Sequence, residues 1–297
     1  MKNILVPTDF SDVAFLASDI AMKLAPSLHG KVHFYSRAHI PHNWEGPSEK
    51  MKEEFPEAYE RYEEVKANFR QLKERYADEK TLTEMSYSSG DLVDILSNYI
   101  DEEEIYMVLM GSSGADGMKE FLFGSNTQKV IKQAHCPVLV VKHKPENLEF
   151  KNIVFASDFH PRALPAFEKV IDFGWHFGSH IHLLHVSPLE SWKEHDAGEE
   201  GNIELFEKAC WKLPCTVHRF DDMNVEMGIT HFATDTLADM ISIAHYGEDN
   251  YFKGLFRGSI TESLVNHLEI PIMVVNTKTA KTWNSMVIED SKTKTMM

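Results

Sequence analysis

Residues 105–125 read IYMVLMGSSGADGMKEFLFGS, and this stretch predicts both a fold class and a kind of ligand. An apolar run typical of a buried strand is followed by a glycine-rich segment, and an amphipathic stretch typical of a helix comes next. Gly111, Gly114, Gly124 and Ser125 fit the pattern G-x2-G-x9-G-S. Glycines let a backbone approach a phosphate closely, and the free amides at the start of a helix favour negative charge. The stretch therefore predicts a nucleotide site in a loop between a strand and a helix.

The sequence segments on either side of this loop occur twice in the 297 residues of the chain. The matching pairs are KNILVPTDF at 2–10 with KNIVFASDF at 151–159, GSNTQKVI at 124–131 with GSITESLV at 258–265, and CPVLVV at 136–141 with IPIMVV at 270–275. The offset between copies is 149 residues at the first matching pair and 134 residues at the later two. The second copy is therefore shorter between its first matching segment and its second. The pattern indicates a tandem duplication.

In each copy, short apolar runs rich in Val, Ile and Leu alternate with longer amphipathic stretches. The predicted strands are 4–6, 32–35, 82–87, 106–110 and 138–141 in the first copy, and 152–156, 181–186, 214–219, 239–244 and 271–275 in the second. The predicted helices are 12–27, 50–77, 91–101 and 125–134, and then 162–176, 200–211, 224–235 and 259–267. Strands that are apolar on both faces and separated by helices indicate a parallel sheet covered on both sides. We therefore predict two tandem five-stranded parallel α/β domains.

The first domain is predicted to cover residues 1–147 and the second residues 148–278. The join falls in KHKPENLEF at 142–150, where Pro145 and polar residues separate the last strand of one copy from the first strand of the next. Beyond Asn276 the composition turns to Lys, Thr, Ser and Met without periodicity. We expect residues 279–297 to form a mobile tail.

Sheets of this class bind ligands outside the carboxyl ends of their strands, at the point where the strand order reverses. If the order reverses between strands one and four, the loops after these two strands meet. They carry the Thr8 and Asp9 of VPTDF and the GSSG of residues 111–114. The sequence thus places the nucleotide site at these two loops.

The net charge of −16 at pH 7 divides evenly between the two copies. An evenly acidic surface disfavours nonspecific binding to nucleic acid or to an anionic membrane. No apolar run reaches the roughly 18 residues of a membrane span, and no signal peptide precedes the first strand. We expect a cytoplasmic protein with neither nucleic acid nor membrane as a partner.

The three cysteines, Cys136, Cys210 and Cys215, cannot all pair, and none of them stands in a CxxC arrangement. Cys136 lies at the entrance of a predicted strand and is interpreted as a buried free thiol. This cysteine content excludes a disulfide-rich scaffold.

Three motifs closely resemble the universal stress protein family. They are VPTDFS after the first strand, MGSSG followed nine residues later by GS, and HCPVLVVK at the end of the first copy. The chain is similar to a tandem form with two such domains. The resemblance implies a Rossmann-like fold of the adenine-nucleotide alpha-hydrolase kind, with the last strands, around 138–142 and 271–275, pairing so that one chain forms a pseudo-dimer. A homodimer of the whole chain is a further possibility.

In one branch of that family, ATP with Mg²⁺ is held at the carboxyl ends of strands one and four. Carried over by position, the resemblance implies that Pro7, Thr8 and Asp9 line the adenosine end, helped by backbone at 36–38 including Ala38. Met110 and Gly111 would border the ribose. The residues implied for the phosphates are Gly114, Gly124, Ser125 and Asn126. For Asp9, the N-cap of the helix that follows Ser11 is an equally good interpretation, and both roles stay open.

The second copy departs from this pattern, because His245 and Glu248 stand where the first copy has Gly111 and Gly114. Side chains there replace the bare backbone, and the carboxylate of Glu248 would repel a phosphate. Gly247 could bend the loop differently, so another ligand stays possible. We nevertheless expect nucleotide in the first domain alone.

The histidines give no spacing typical of a metal site. In HIHLLH, His180 and His182 share one strand face and His185 lies on the other, where it could meet His245, Asp158 or His160. Hydrogen-bonded side chains are the more common outcome for such a set. His33, His39, His42 and His195 carry no spacing signal. No metal site of the chain's own is therefore predicted.

Neither copy contains a recognisable catalytic set, since no Ser, His and Asp stand in nucleophile-elbow context and no GKS or GKT follows the glycine loop. No Lys or Arg is positioned by a motif to stabilise a transferring phosphoryl group, so any hydrolysis should be slow. Our leading hypothesis is a stress-response or regulatory protein that binds ATP in its first domain. The alternatives are an assembly module that binds no nucleotide and, with less support, a slow ATP hydrolase.

Overall fold

The computed structural model describes residues 1–38, 40, 44, 46–77, 79–88, 92–112, 125–145, 148–189, 198–210, 213–246 and 258–277. The chain divides into two compact units, and the boundary in the sequence falls between Leu148 and Glu149. The boundary predicted from the sequence lies one residue earlier, between residues 147 and 148. The predicted tail at 279–297 lies outside the described residues.

The first unit contains a parallel sheet in the order β3-β2-β1-β4-β5. Its strands are β1 (Asn3–Pro7), β2 (Val32–Arg37), β3 (Thr83–Ser88), β4 (Ile105–Gly111) and β5 (Val138–Val141). Its helices are α1 (Asp12–Leu28), α2 (Glu49–Glu54), α3 (Pro56–Arg75), α4 (Leu92–Glu102) and α5 (Ser125–Gln133). From β1 the chain moves to β2 on one side, whereas β4 lies on the other side. The order therefore reverses between β1 and β4, which creates a crevice at their carboxyl ends.

The second unit repeats this arrangement in the order β8-β7-β6-β9-β10. Its strands are β6 (Asn152–Ala156), β7 (His180–Pro188), β8 (Cys215–Asp222), β9 (Met240–His245) and β10 (Ile272–Asn276). Its helices are α6 (Leu164–Phe177), α7 (Gly198–Ala209), α8 (Val225–Asp235) and α9 (Gly258–His267), and a 3-10 turn at Pro161–Ala163 precedes α6. The prediction of two five-stranded parallel α/β domains is confirmed.

Apolar strand residues form the core of each unit. All four residues of β5 and all six of β9 are buried, as expected for strands covered on both faces. Every residue of β3 is only partly buried, because β3 lies at an edge of its unit's sheet and alternates polar with apolar side chains. This explains why the sequence signal for β3 is weak.

The predicted long helix at 50–77 is wrong in one respect, because it is two helices. Phe55 lies between α2 and α3 with φ −130° and ψ 64°, outside the helical region. Pro56 follows it, and the proline ring disfavours helical geometry in the residue before it. A single proline therefore divides the charged stretch.

The structure adds a disulfide that the sequence analysis did not predict. Cys210 directly follows α7 and Cys215 begins β8, and the two form a disulfide with Cα atoms 6.2 Å apart. The two cysteines are five residues apart, and the short connection from the end of α7 to the start of β8 brings them together. Cys136 is a buried free cysteine, as predicted.

Within the described part of the chain, every helix is too short or too polar to span a lipid bilayer.

Candidate functional site

The loop after β1 is a tight turn built by the side chains of TDFS. Thr8 Oγ1 accepts a hydrogen bond from the Phe10 amide at 3.0 Å. Asp9 Oδ1 accepts one from the Ser11 amide at 3.0 Å and one from the Ser11 hydroxyl at 2.6 Å. Phe10 has a φ of 62°, an uncommon conformation for an aromatic residue. These bonds hold the chain in that conformation, at the carboxyl end of β1.

Ser11, and not Asp9, is the N-cap of α1. The Ser11 hydroxyl accepts a hydrogen bond from the Ala14 amide at 3.4 Å, and the helix begins at Asp12. Asp9 instead orients the cap residue, because its carboxylate accepts hydrogen bonds from the amide and hydroxyl of Ser11. The N-cap interpretation of Asp9 is therefore wrong, although Asp9 does help to start the helix.

The second unit contains the same turn after β6. Ser157 Oγ accepts from the Phe159 amide at 3.0 Å, and Asp158 Oδ1 accepts from the His160 amide at 3.1 Å. Phe159 has a φ of 52°. The repeated sequence thus encodes a repeated loop, and any difference in ligand binding must come from residues around it.

A cleft of about 360 Å³ lies in the first unit at the carboxyl ends of β1, β2 and β4. This volume is within the usual range of small-molecule sites. The residues that line it are Pro7, Thr8, Asp9, Ser11, Val13, Ala14, Tyr35, Arg37, Met110, Gly111, Ser112, Asn126 and Thr127. The cleft therefore lies at the strand ends where the sequence places the nucleotide.

Six of the ten residues predicted to bind nucleotide line this cleft, namely Pro7, Thr8, Asp9, Met110, Gly111 and Asn126. Ser125 begins α5 beside it. Gly114 and Gly124 lie outside the described residues. Ala38 is not among the lining residues, because its amide donates to the Ser88 carbonyl at 2.9 Å and its side chain packs against an aromatic cluster.

Sequence reasoning named backbone at 36–38 but missed the side chains of Tyr35 and Arg37, both on β2. Arg37 is the last residue of β2, and it lines the cleft with an exposed side chain. It provides the positive charge that no motif predicted. Burial raises the pKa of Tyr35, so its hydroxyl is protonated at neutral pH and donates to Ser88 Oγ at 2.5 Å. The position of Arg37 at the end of a predicted strand is the signal that could have revealed it.

Gly111 meets a steric requirement as well as lining the cleft. A β-carbon at this position would lie 2.1 Å from the Val13 carbonyl oxygen and 2.6 Å from the Val13 carbonyl carbon. The end of β4 thus passes directly against the first turn of α1. The glycine is necessary for this packing whether or not a ligand is present.

The second unit differs at the corresponding place. Tyr246 follows β9, and its hydroxyl donates to Asp158 Oδ1 at 3.0 Å. Burial and the Asp158 carboxylate raise the pKa of Tyr246, so the donor stays protonated. Asp158 matches Asp9 in the repeated segments KNIVFASDF and KNILVPTDF, and Tyr246 matches Ser112 when the copies are aligned on the GS pair. A tyrosine side chain of the unit itself therefore binds the aspartate that in the first unit faces the cleft.

Two further substitutions remove ligand-binding character from the second unit. Since Ile4 pairs with Val32 and Ile153 with Ile181, the strand register places Val186 where the first unit has Arg37. Val186 is buried. His245 matches Gly111 only when the copies are aligned on the GS pair. The pairing of Ile4 with Met107 and of Ile153 with Met240 places Ala244 at the register of Gly111 and His245 at that of Ser112. His245 is buried, with 4% of its surface exposed. Glu248 and Gly247 lie outside the described residues.

The histidines suggested for a metal in the second unit serve other roles. His160 Nδ1 accepts from the Arg162 amide at 3.2 Å, and the His185 ring stacks on Phe159 with centroids 6.2 Å apart. On the other strand face, His182 Nδ1 lies 3.1 Å from His218 Nε2, and the His180 and His182 rings are 4.3 Å apart. The structure thus groups His180 and His182, as their spacing predicts, and adds His218 from β8.

This histidine group predicts that the second unit loses stability in mild acid. Burial, together with the neighbouring His180 and His218, lowers the pKa of His182 to about 4. The pKa of His182 is lower in the folded chain than in the unfolded chain, where it is about 6.5. The unfolded chain therefore binds a proton at a higher pH than the folded chain does. Stability is complete above about pH 6.5 and is lost as the pH falls towards about 4. We expect about 2 kcal/mol less stability at pH 5 than at pH 7.5 from His182 alone.

Hydrogen exchange of β7 peptides in urea, at both pH values, measures this loss in the second unit. The His182→Asn variant should show a smaller loss by about that amount. An equal pH dependence in both proteins would contradict the assignment to His182.

The comparison with known proteins agrees with this geometry. A model of the universal stress protein family matches residues 1–142 and, separately, residues 149–276. The chain belongs to the universal stress protein family. Each of its two units is a universal stress protein domain, so the resemblance noted in the sequence is confirmed.

Individual universal stress proteins support this membership. Universal stress protein MJ0531 of Methanocaldococcus jannaschii is 31% identical over 153 residues, which are 49% of this chain and 84% of that protein. Universal stress protein MJ0577 of the same organism is 48% identical over 44 residues, 15% of this chain and 27% of that protein. A universal stress protein structure from Archaeoglobus fulgidus matches with a TM-score of 0.71 over 93% of this chain and 98% of that chain, at 20% identity. This last similarity shows the shared fold.

Proposed function

We propose that this chain is a cytoplasmic universal stress protein that binds ATP with Mg²⁺ in its first unit and has a regulatory role in the stress response. The observation that carries the proposal is the cleft at the carboxyl ends of β1 and β4. It combines a carboxylate, an exposed guanidinium and several hydroxyl groups, from Asp9, Arg37, Thr8, Ser11 and Tyr35. Such a cleft at a strand-order reversal is the usual nucleotide position in doubly wound sheets.

The roles within the cleft follow from its position and from the family pattern. Pro7, Thr8 and Asp9 would line the adenosine, Met110 and Gly111 the ribose, and Asn126 with the start of α5 the phosphates. The α5 amino terminus, at Ser125, offers free amides and a positive dipole end. The Arg37 guanidinium would pair with phosphate oxygens, for which its planar donors are well suited.

The described cleft also fits a hard divalent cation, because its donors are hydroxyl, amide and carboxylate oxygens. Mg²⁺ is usually held by phosphate oxygens and water with one or two protein ligands. Asp9 and Thr8 could supply those ligands, and the ion would neutralise phosphate charge. Asp9 is the one carboxylate among the described lining residues, and its Oδ1 is already bonded to Ser11. We therefore propose binding and not efficient hydrolysis.

Mass analysis of the ligand released from the purified, denatured protein tests this proposal. Co-purified ATP supports it. ADP or AMP alone would favour the slow ATP hydrolase. If no nucleotide is found, even after incubation with MgATP, the chain is better interpreted as an assembly module. For the second unit, the Tyr246–Asp158 hydrogen bond favours the assembly module, because the Tyr246 hydroxyl already binds the aspartate that a ligand would contact.

A titration with MgATP should saturate near one nucleotide per chain. The two units carry the same aspartate turn, but Tyr246 binds Asp158 and Val186 stands where Arg37 would be. Calorimetry of Asp9→Asn and Asp158→Asn makes a matched comparison. We expect Asp9→Asn to weaken ATP binding by about tenfold, or about 1.4 kcal/mol, and Asp158→Asn to leave it unchanged. A stoichiometry of two that persists in excess chelator would contradict this asymmetry.

A further inference from the structure

A second group of polar side chains lies at the opposite, amino-terminal edge of the sheet in the first unit. One ring nitrogen of His33 and one carboxylate oxygen each of Glu84 and Glu103 lie within 4.8 Å of one another. His33 is the second residue of β2, Glu84 pairs with it from β3, and Glu103 follows α4. Arg37 lies four positions after His33 on β2, so the group lies about 13 Å along the strand from the nucleotide cleft.

His33 is unusual because it is buried and yet only partly satisfied. It is 1% exposed, and its Nδ1 lies 3.0 Å from the Tyr99 hydroxyl and 3.6 Å from Glu84 Oε2. Its Nε2 is buried without a hydrogen-bond partner among the described residues. Burial lowers the pKa of His33, against the opposing effect of Glu84 and Glu103, so the ring is neutral at pH 7. A neutral imidazole offers a lone pair, which is what a metal ion binds.

The charges around His33 favour a cation. Glu84 is ionised, since its hydrogen bond to Lys31 lowers its pKa, and Glu103 is close enough to raise the pKa of both His33 and Lys31. Lys31 Nζ contacts Glu84 Oε1 at 2.5 Å, which leaves Oε2 facing the imidazole. The carboxylates of Glu84 and Glu103 outnumber the single ammonium of Lys31. The group therefore keeps a net negative charge, although Lys31 compensates part of the total.

We infer that His33, Glu84 and Glu103 form a binding site for a divalent transition-metal ion of the zinc type. One nitrogen and two carboxylate oxygens are a ligand set that Zn²⁺ accepts, whereas Mg²⁺ and Ca²⁺ prefer oxygen alone. The ligands come from β2, β3 and the end of α4, so an ion there would hold three elements together. The site is separate from the proposed MgATP cleft and requires no nucleotide.

Thermal unfolding of the full chain, first stripped with chelator and free of nucleotide, tests the site. Addition of about 100 µM Zn²⁺ should raise the Tm of the first unit by about 5 °C, as expected when an ion at about a hundred times its Kd binds only the folded state. The same concentration of Mg²⁺ should give a much smaller shift. No shift with Zn²⁺, or an equal shift with both ions, would overturn the proposal.

Three variants separate a metal site from a simple charge network. Glu103→Gln should abolish the Zn²⁺ shift, and its exposed neighbour Glu102→Gln is the matched control that should retain it. Lys31→Gln should strengthen Zn²⁺ binding severalfold, because it removes a competing positive charge from Glu84. If the Lys31 variant binds Zn²⁺ more weakly, or if both glutamate variants respond alike, these residues do not form the site. Binding of Co²⁺, followed by its visible absorption, should show the same order among the variants.

Discussion

Replacing Gly111 with alanine should destabilise the first unit by about 3 kcal/mol or more. The added β-carbon would lie 2.1 Å from the Val13 carbonyl oxygen, a backbone atom that cannot move without shifting the first turn of α1. Side chains can often rotate away from such an overlap, but the backbone of a packed helix cannot. Hydrogen exchange of β4 peptides should show faster opening, whereas β9 peptides in the second unit should be unaffected.

Gly46→Ala is the matched control. A β-carbon at Gly46 would meet nothing within 4 Å, so this variant should be as stable as the parent chain or slightly more stable. Equal stability of the Gly111 and Gly46 variants would contradict the close approach of β4 and α1. In the second unit the strand register places Ala244, another small residue, at the matching position, and there a 3-10 turn at Pro161–Ala163 precedes the helix.

The Arg37→Gln variant should bind ATP about tenfold to a hundredfold more weakly, a loss of about 1.4 to 2.8 kcal/mol. Arg37 is the one guanidinium among the described residues that line the cleft, and its partner in the proposed complex is the charged part of the ligand. Adenosine, which lacks phosphates, should bind the variant and the parent chain with affinities within about threefold of each other. Calorimetry with both ligands measures the difference.

Arg219→Gln gives the corresponding control, since it removes one arginine from an exposed position on β8 in the second unit. Its affinity for ATP should equal that of the parent chain at about 0.15 M salt, where distant charges are screened. If Arg37→Gln weakens ATP and adenosine equally, the guanidinium does not act on the phosphates. If neither ligand is affected, Arg37 takes no part in binding.

If the first unit binds ATP as proposed, the two units show how one copy of a duplicated domain can lose a ligand and keep its fold. The TDF and SDF turns keep the same hydrogen bonds and the same positive φ at Phe10 and Phe159. The differences lie at the ends of the neighbouring strands, where Val186 takes the place of Arg37 and the second unit has Tyr246 bonded to Asp158. These positions lie outside the turn itself, so they could change while the core of the sheet was preserved.

The sequence by itself determined the duplication, the α/β class, the order of elements and the edge of the sheet where the cleft lies. These features depend on hydrophobic periodicity, glycine positions and internal repeats, which are local along the chain or compare one copy with the other. The break at Pro56 is equally local. The weak signal of β3 and the single-helix prediction for 50–77 show the limit of periodicity alone, since an edge strand and a broken helix both retain ordinary amphipathic patterns.

Only the tertiary structure decided which side chains meet. Arg37 reaches the cleft because β2 lies beside β1, and Tyr246 meets Asp158 across 88 residues of sequence. The disulfide of Cys210 with Cys215 depends on where α7 ends and β8 begins. The cluster of His33, Glu84 and Glu103 draws its residues from β2, from β3 and from the turn after α4. In a parallel sheet every neighbouring strand is reached through a crossover, so contacts between such residues leave no fixed spacing in the sequence.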